Sequence, residues 1–569
     1  MLNTDFGAAL NPDSVLQEYP RPQMARKEYR ILNGYWDYAI THSDTCPETW
    51  DGKILVPFSP EAQLSGVMRD VAPEDYLWYR LALDEKPRNG YRLLLHFGAV
   101  DQMAEIFLNG ISVGSHIGGF TPFTLDATDA LQENENVLTV CVRDRSDTCE
   151  LSRGKQKTKR GGIWYTRQSG IWQTVWCEWV PETYIEKLII TPVVEESMVE
   201  ITVCSAKNEL CYITFDGSTY GSRTNTPIRI TVSDPILWSP ETPHLYPFAA
   251  SLGEDMVESY FAMRKVEMKA DDKGISRLFL NGKPYFHSGV LDQGYWPDGL
   301  LTAPSDEALI LDIQTMKDLG FNMLRKHIKL EPMRFYYHCD RLGMLVWQDM
   351  PSGGGDYRFM TISAPLVTGI HRKDNDYKRF AREDEAARAH YRMELREMVQ
   401  ALYNCPCIVL WVPFNEGWGQ FDAAEITEYL RSLDPTRLID HASGWHDQGV
   451  SDVKSLHVYF RPYQFRKDKK HRAVVLSEFG GYTLALPEHC WNDAAFGYRN
   501  HKSKEHLTAA ITKLYETQII PAVKKGLCAT VYTQVSDVED ECNGFLTYDR
   551  RMVKIPAEQM RKLNEKLKL

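Results

Sequence analysis

The chain has 569 residues, 43% hydrophobic and 25% charged, with a net charge of −12. That length predicts several domains, and that balance excludes wholesale disorder, collagen and coiled coil. The acidic surplus repels a phosphate backbone, so no nucleic-acid partner is expected.

Residues 1–180 read as β structure. Tyr91–Phe97 is a strand, and Glu105–Leu108 and Ile111–Val113 form a hairpin around Asn109-Gly110, a dipeptide suited to a type I′ turn. Val137–Val142 is another apolar, β-branched run. The basic run Arg153-Gly-Lys-Gln-Lys-Thr-Lys-Arg160 reads as a solvated loop. A second β segment from Thr183 to about Lys265 contains Leu188–Thr191 and Ile228–Val232 and suits one immunoglobulin-like sandwich.

After about residue 276 the period changes. Ser305 caps a helix from Asp306 to Leu319, with Gly320 at its end, and the strand Phe321–Leu324 follows. A helix over Pro332–Arg341, the strand Met344–Trp347, a helix carrying Leu395, Met398, Val399 and Leu402, and the strand Cys407–Val412 continue the alternation. Ala473–Leu476 and Ala529–Tyr532 are later strands. Repeated strand–helix units over this length predict a (β/α)8 barrel, whose chemistry sits at the C-terminal strand ends. No glycine-rich nucleotide loop follows any strand.

The N-terminus lacks a basic and then apolar leader pattern, and no run of 18 apolar residues exists. The chain is therefore expected to be cytoplasmic, with reduced thiols and no membrane partner. Cys405-Pro-Cys407 lacks the spacing of a zinc or redox pair and reads as packing. No metal-ligand motif is present, and neither metal nor cofactor is expected.

The strand ends supply the candidate chemistry. Glu416 follows Cys407–Val412, and Glu478 follows Ala473–Leu476. Two carboxyl groups on separate strands at one barrel mouth are what retaining glycoside hydrolysis requires, one to protonate the leaving oxygen and one to attack the anomeric carbon. Asn415 adds an amide for a sugar hydroxyl, and Gly417 and Gly480 leave room for a close approach. Arg325 and His327, Gln348 and Asp349, and Thr533 and Gln534 sit past other strands.

Pro413-Phe-Asn-Glu-Gly-Trp-Gly-Gln420, Leu476-Ser-Glu-Phe-Gly-Gly481 and Asn322-Met-Leu-Arg-Lys-His327 resemble the signatures of glycoside hydrolase family 2. Arg160-Gly-Gly-Ile-Trp-Tyr-Thr-Arg-Gln-Ser-Gly-Ile-Trp172, Leu237-Trp-Ser-Pro-Glu-Thr-Pro-His-Leu-Tyr246 and Leu280-Asn-Gly-Lys-Pro284 resemble its domain junctions, so the resemblance spans essentially the whole chain. It implies a jelly-roll, sugar-binding-like domain over 1–181, an immunoglobulin-like sandwich over 182–268 and a catalytic TIM barrel over 269–569. It implies Glu416 as general acid/base, Glu478 as nucleophile and Tyr459 as a hydrogen-bond partner of the nucleophile. His327 matches the family's histidine, with one residue fewer after Arg325 than the commonest spacing. Asp292 and Gln293 stand where many members have a histidine and an acidic residue touching the sugar, a pattern altered here, so either is a candidate for binding the non-reducing end. Trp296 and Trp418 each read either as sugar-stacking or as packing residues.

The implied reaction is exo-cleavage of a terminal β-linked sugar from an oligosaccharide or glycoconjugate. The family's β-glucuronidases carry an Asn-x-Lys pair after the last strand. Here the stretch Ser536-Asp-Val-Glu-Asp-Glu-Cys-Asn-Gly-Phe545 is acidic and lacks it. The leading reading is therefore β-galactosidase-like. A β-hexuronidase, using Arg358 or Arg461 on the carboxylate, is the alternative, and a non-catalytic sugar-binding scaffold ranks below both. The resemblance also implies a homo-oligomer.

Overall fold

The computed structural model of the chain describes residues 1–492 and 495–569. The first β unit is a sandwich of two antiparallel sheets. One runs Gly52–Val56, Gly34–Thr41, Tyr76–Leu83, Asn136–Arg143, Met103–Leu108, Ile111–Ile117 in spatial order, and the other Tyr29–Ile31, Val175–Pro181, Tyr91–Phe97, Phe123–Asp126. Alternation along the strands sends Trp36, Leu93, Leu95, Phe97, Ile106 and Val140 into the space between them. The expected hairpin is present, and Asn109 (φ +56°) and Gly110 (φ +77°) occupy the left-handed region that a type I′ turn requires.

The second unit packs a three-stranded sheet, Lys187–Val193, Met198–Cys204 and Ile228–Thr231, on a four-stranded one containing Leu210–Phe215. In Leu210–Phe215 every second residue is buried, the signature of a sheet with one face on a core.

The third unit is the barrel. Its strands are β1 (His287–Asp292), β2 (Met323–Lys326), β3 (Leu345–Asp349), β4 (Ile408–Val412), β5 (Leu438–Ile439), β6 (Val453–Val458), β7 (Ala473–Gly480) and β8 (Leu527–Thr533). Among the described residues they form one eight-stranded parallel sheet in the order β5-β4-β3-β2-β1-β8-β7-β6. The seam between β5 and β6 is closed by Asp452. Its N–H donates to Ile439 O at 3.2 Å, and its carboxylate accepts from Ile439 N at 2.8 Å.

The helix Asp306–Asp318 begins as read, with Ser305 Oγ accepting from Ala308 N, and Gly320 follows it at φ +86°. Strands β3 and β7 run further than the sequence reading placed them, so Asp349 and Glu478 lie within their C-terminal ends. Cys405 and Cys407 are buried packing residues. Among the described residues no helix is long and apolar enough to cross a membrane.

The basic run differs from its expected form. Arg153 and Lys155 are 1% and 5% exposed, because residues 152–156 fold against the barrel, while Thr158, Lys159 and Arg160 remain exposed as expected. Arg153 N and Gly154 N both donate to Ser352 O at 2.9 Å. Ser152 Oγ donates to Glu394 Oε2 at 2.7 Å, and the Arg153 guanidinium reaches the carbonyls of Gly354 and Gly355.

Candidate active site

Arg325, at the end of β2, organises the floor of the mouth. It is fully buried. Nε and Nη2 donate to the two oxygens of Asp349 at 3.0 and 2.9 Å, Nη1 to Glu478 Oε1 at 3.1 Å, and Nη2 also to Asn415 Oδ1 at 2.8 Å. A planar guanidinium fork suits this double engagement. Asp349 fixes the fork, and the remaining donors orient Glu478 and Asn415.

Glu416 follows β4 with φ +50°, a strained value for a residue with a Cβ. Ser443 O accepts its N–H at 2.9 Å and Trp445 Nε1 donates to its carbonyl at 2.8 Å, which hold that backbone in place. Its side chain meets His457 Nδ1 at 2.7 Å, and the same nitrogen lies 3.5 Å from Glu478 Oε2. The contacting atoms of Glu416, His457 and Glu478 all lie within 4.8 Å of one another. That spacing also suits a cation. The Tyr459 hydroxyl donates to Glu478 Oε2 and lies 3.0 Å from Thr533 Oγ1.

The two carboxyl groups are driven apart in acidity. Burial raises Glu416 above the ordinary carboxylate range, and the charge of Glu478 adds to that while His457 opposes it. Burial would raise Glu478 too, but His457, Arg325, His327 and the Tyr459 hydroxyl together hold it below the ordinary range. His327 is buried, with Nδ1 3.1 Å from Asp349 Oδ2 and its ring edge-on to Trp418 at 5.9 Å. Burial, and then the charge of Lys155, push its pKa well below normal.

A chain of polar groups closes one end of the cleft. Gln293 Nε2 donates to Gln534 Oε1 at 2.8 Å, Gln534 Nε2 to Asn543 Oδ1 at 2.9 Å, and Asn543 Nδ2 to Glu541 Oε1 at 2.9 Å. The Tyr165 hydroxyl, from the first unit, donates to Glu541 Oε2 at 2.5 Å. On the other side of Lys155, whose Nζ is 6.0 Å from its ring, Trp418 packs on Trp164 (5.0 Å) and Tyr357 (6.4 Å).

Glu416, Glu478, Asn415, Arg325, His327 and Tyr459 thus converge, with Gln293, Gln534 and Trp418 around them. Asp292 is buried beside them, but its carboxylate is 2.7 Å from Lys326 Nζ. Trp296 is 1% exposed, with the Arg550 guanidinium 4.0 Å over its ring, and is a core residue. Arg358 and Arg461 are exposed, and neither makes an ion pair with Glu416 or Glu478. The glycines serve internal packing: a Cβ on Gly417 would sit 2.7 Å from His446, and one on Gly480 2.3 Å from Tyr532.

Sequence reasoning placed Asp349 past a strand without a role. It gave no role to His457, which lies in the His457-Val-Tyr459 motif, or to Lys155, Trp164, Glu541 and Asn543, which lie in stretches read for other reasons.

The family models follow the same three units. "Glycosyl hydrolases family 2, sugar binding domain" matches residues 29–177, "Glycosyl hydrolases family 2" residues 183–264, and "Glycosyl hydrolases family 2, TIM barrel domain" residues 273–482. The chain belongs to glycoside hydrolase family 2. Within this family 2 chain, 506 residues are 24% identical to a putative beta-glucuronidase of Formosa agariphila, covering 80% of the chain and 55% of the relative. Over 397 residues it is 26% identical to a beta-galactosidase of Thermoanaerobacter pseudethanolicus, covering 64% and 48%. The chain spans about half the length of these two curated relatives. The beta-D-glucuronidase structure of Dictyoglomus thermophilum superposes with a TM-score of 0.74 at 18% identity, covering 96% of this chain and 98% of that one, a likeness of fold.

Proposed function

We propose that the chain is a retaining exo-β-glycosidase acting by double displacement. The observation that carries this is the Glu416–Glu478 pair, whose facing atoms lie within 4.8 Å. Retaining enzymes hold their carboxyl groups about 5–5.5 Å apart, and inverting enzymes about 6.5–9.5 Å, to admit a water. The opposed acidities supply one proton donor and one ionised nucleophile.

In the first step a Glu478 oxygen bonds to the anomeric carbon as the glycosidic C–O bond breaks, and Glu416 gives its proton to the leaving oxygen. In the second, Glu416 takes a proton from water, the water oxygen bonds to the anomeric carbon, and the bond to Glu478 breaks. Arg325 and Tyr459 hold the Glu478 carboxylate towards the sugar. Asn415 Nδ2 is buried without a partner, which suits donation to a sugar hydroxyl. The polar chain from Gln293 to Tyr165 closes one end of the cleft, consistent with a terminal sugar.

For the glycone we favour a neutral, galactose-type sugar. The buried cations of the mouth already face carboxylates: Arg325 with Asp349 and Glu478, Lys326 with Asp292, Lys329 with Glu331, and Lys155 with Glu541. A uronate carboxylate would enter without a spare countercharge. The hexuronidase reading keeps one specific support, that Lys155 is the most loosely paired of these cations. Turnover of p-nitrophenyl β-galactoside, β-glucuronide and β-galacturonide by the purified protein tests both parts. Fastest turnover of the galactoside is expected. Hydrolysis of a hexuronide in preference would replace the sugar, and inertness towards all β-glycosides would remove the activity.

A further inference from the structure

Lys155 belongs to the first β unit, yet its ammonium lies in the barrel's cleft. It is 5% exposed, 6.0 Å from the ring of Trp418, and close enough for its charge to act on Glu416 and His327. An ammonium carries three N–H donors. Here it makes one hydrogen bond, 3.4 Å to the Tyr165 hydroxyl, and stands 4.0 Å from Glu541 Oε2. Glu541, by contrast, is well bound: Oε2 accepts from Tyr165 and Oε1 from Asn543, so its carboxylate is fixed in position. One side of the pair is immobilised, and the other retains donors for a ligand.

We propose that Glu541 is the residue that sets the charge of the sugar this cleft accepts. Standing against Lys155, it makes a locally neutral end wall whose free N–H donors bind hydroxyl groups. A uronate carboxylate arriving there would share one ammonium with a fixed carboxylate, and that like-charge approach rejects it. The cations that would otherwise receive it are committed: Arg325 is gripped by both oxygens of Asp349, Lys326 by Asp292 and Glu331, and Arg153 by backbone carbonyls. The inference rests on the reading of the chain as a retaining glycosidase for a neutral glycone, and it adds the residue that excludes the acidic one. It also gives the loop of residues 152–166 a part in recognition, because that loop brings Lys155 and Tyr165 to the wall.

The test is Glu541→Gln, which preserves shape and removes the charge. The ratio of kcat/KM for p-nitrophenyl β-galacturonide or β-glucuronide to that for the β-galactoside is expected to rise at least tenfold. The gain is expected to vanish in the double variant Glu541→Gln/Lys155→Gln, because it depends on the released ammonium. Where the single variant folds but turns over poorly, calorimetric titration with galacturonate and galactose reads the same selectivity as relative Kd. Where it does not fold, Lys155→Gln serves, and galacturonate affinity should fall relative to galactose. An unchanged ratio in folded Glu541→Gln, with a wild type that prefers the galactoside, overturns this inference alone. A gain that survives loss of Lys155 also overturns it. A wild type that prefers a hexuronide overturns both this inference and the neutral-sugar reading.

Discussion

Replacing Tyr459 by Phe removes one oxygen and leaves the ring seated. The ring is stacked on Tyr498 with centroids 3.8 Å apart and planes 14° from parallel, contacts a phenyl group keeps. What is lost is the hydroxyl that donates to Glu478 Oε2. A hydrogen bond to a charged acceptor is worth about 1.5–3 kcal/mol, and one pKa unit corresponds to about 1.4 kcal/mol. The bond stabilises the ionised form of Glu478, so its loss raises the pKa, by about one to two units on that conversion. Glu478 must be ionised to attack, so the acid limb of the kcat/KM–pH profile should move by that amount to higher pH. The alkaline limb, set by loss of the proton on Glu416, should stay nearly in place, because Tyr459 makes no hydrogen bond to that group. Stopped assays from pH 3 to 10 on the folded variant measure both limbs. An acid limb that moves by less than about 0.3 unit would refute the claim that this hydroxyl holds the nucleophile ionised.

Glu478→Gln should abolish turnover with sugar affinity near wild type by calorimetry, and Glu416→Gln should lower kcat by about 10²–10⁴-fold, least for acidic phenol leaving groups; full activity in either variant would contradict the assignment. His457 lowers the pKa of both carboxyl groups. His457→Gln should therefore carry both limbs of the bell-shaped profile to higher pH, and movement of one limb alone would show that the histidine serves only one of them. Arg325→Met leaves Asp349 buried without its guanidinium partner, so urea denaturation should show a loss of about 3–5 kcal/mol, and a loss under about 1 kcal/mol would mean the ion pair is not the scaffold described.

Much of the barrel was legible because strands such as β2, β3 and β4 are apolar runs closed by a polar turn, and helices alternate with them, the first capped by Ser305. Strand β5 was not, since Leu438–Ile439 is too short to show a period, and its closure onto β6 is made by the side chain of Asp452. Glu416, Glu478 and Arg325 were legible because a strand delivers its last side chains to one place and because the motifs around them resemble those of the family. Lys155 was not legible, because its burial is decided by contacts with Tyr165 and with Glu541, nearly four hundred residues away. A local reading of that run sees only charge. Arg358 and Arg461, named from sequence as possible carboxylate partners, are exposed in space. Trp296 shows the converse, an aromatic whose face is taken by Arg550, a residue that no local pattern connects to it.

The central claim is the double displacement itself, and the anomeric configuration of the first-formed product tests it most directly. Proton NMR during hydrolysis of whichever p-nitrophenyl β-hexoside is turned over fastest should show the β-anomer first, with the α-anomer appearing only at the rate of mutarotation. If the α-anomer is released first, the carboxyl groups act across an intervening water, and the account given for Glu416 and Glu478 is wrong.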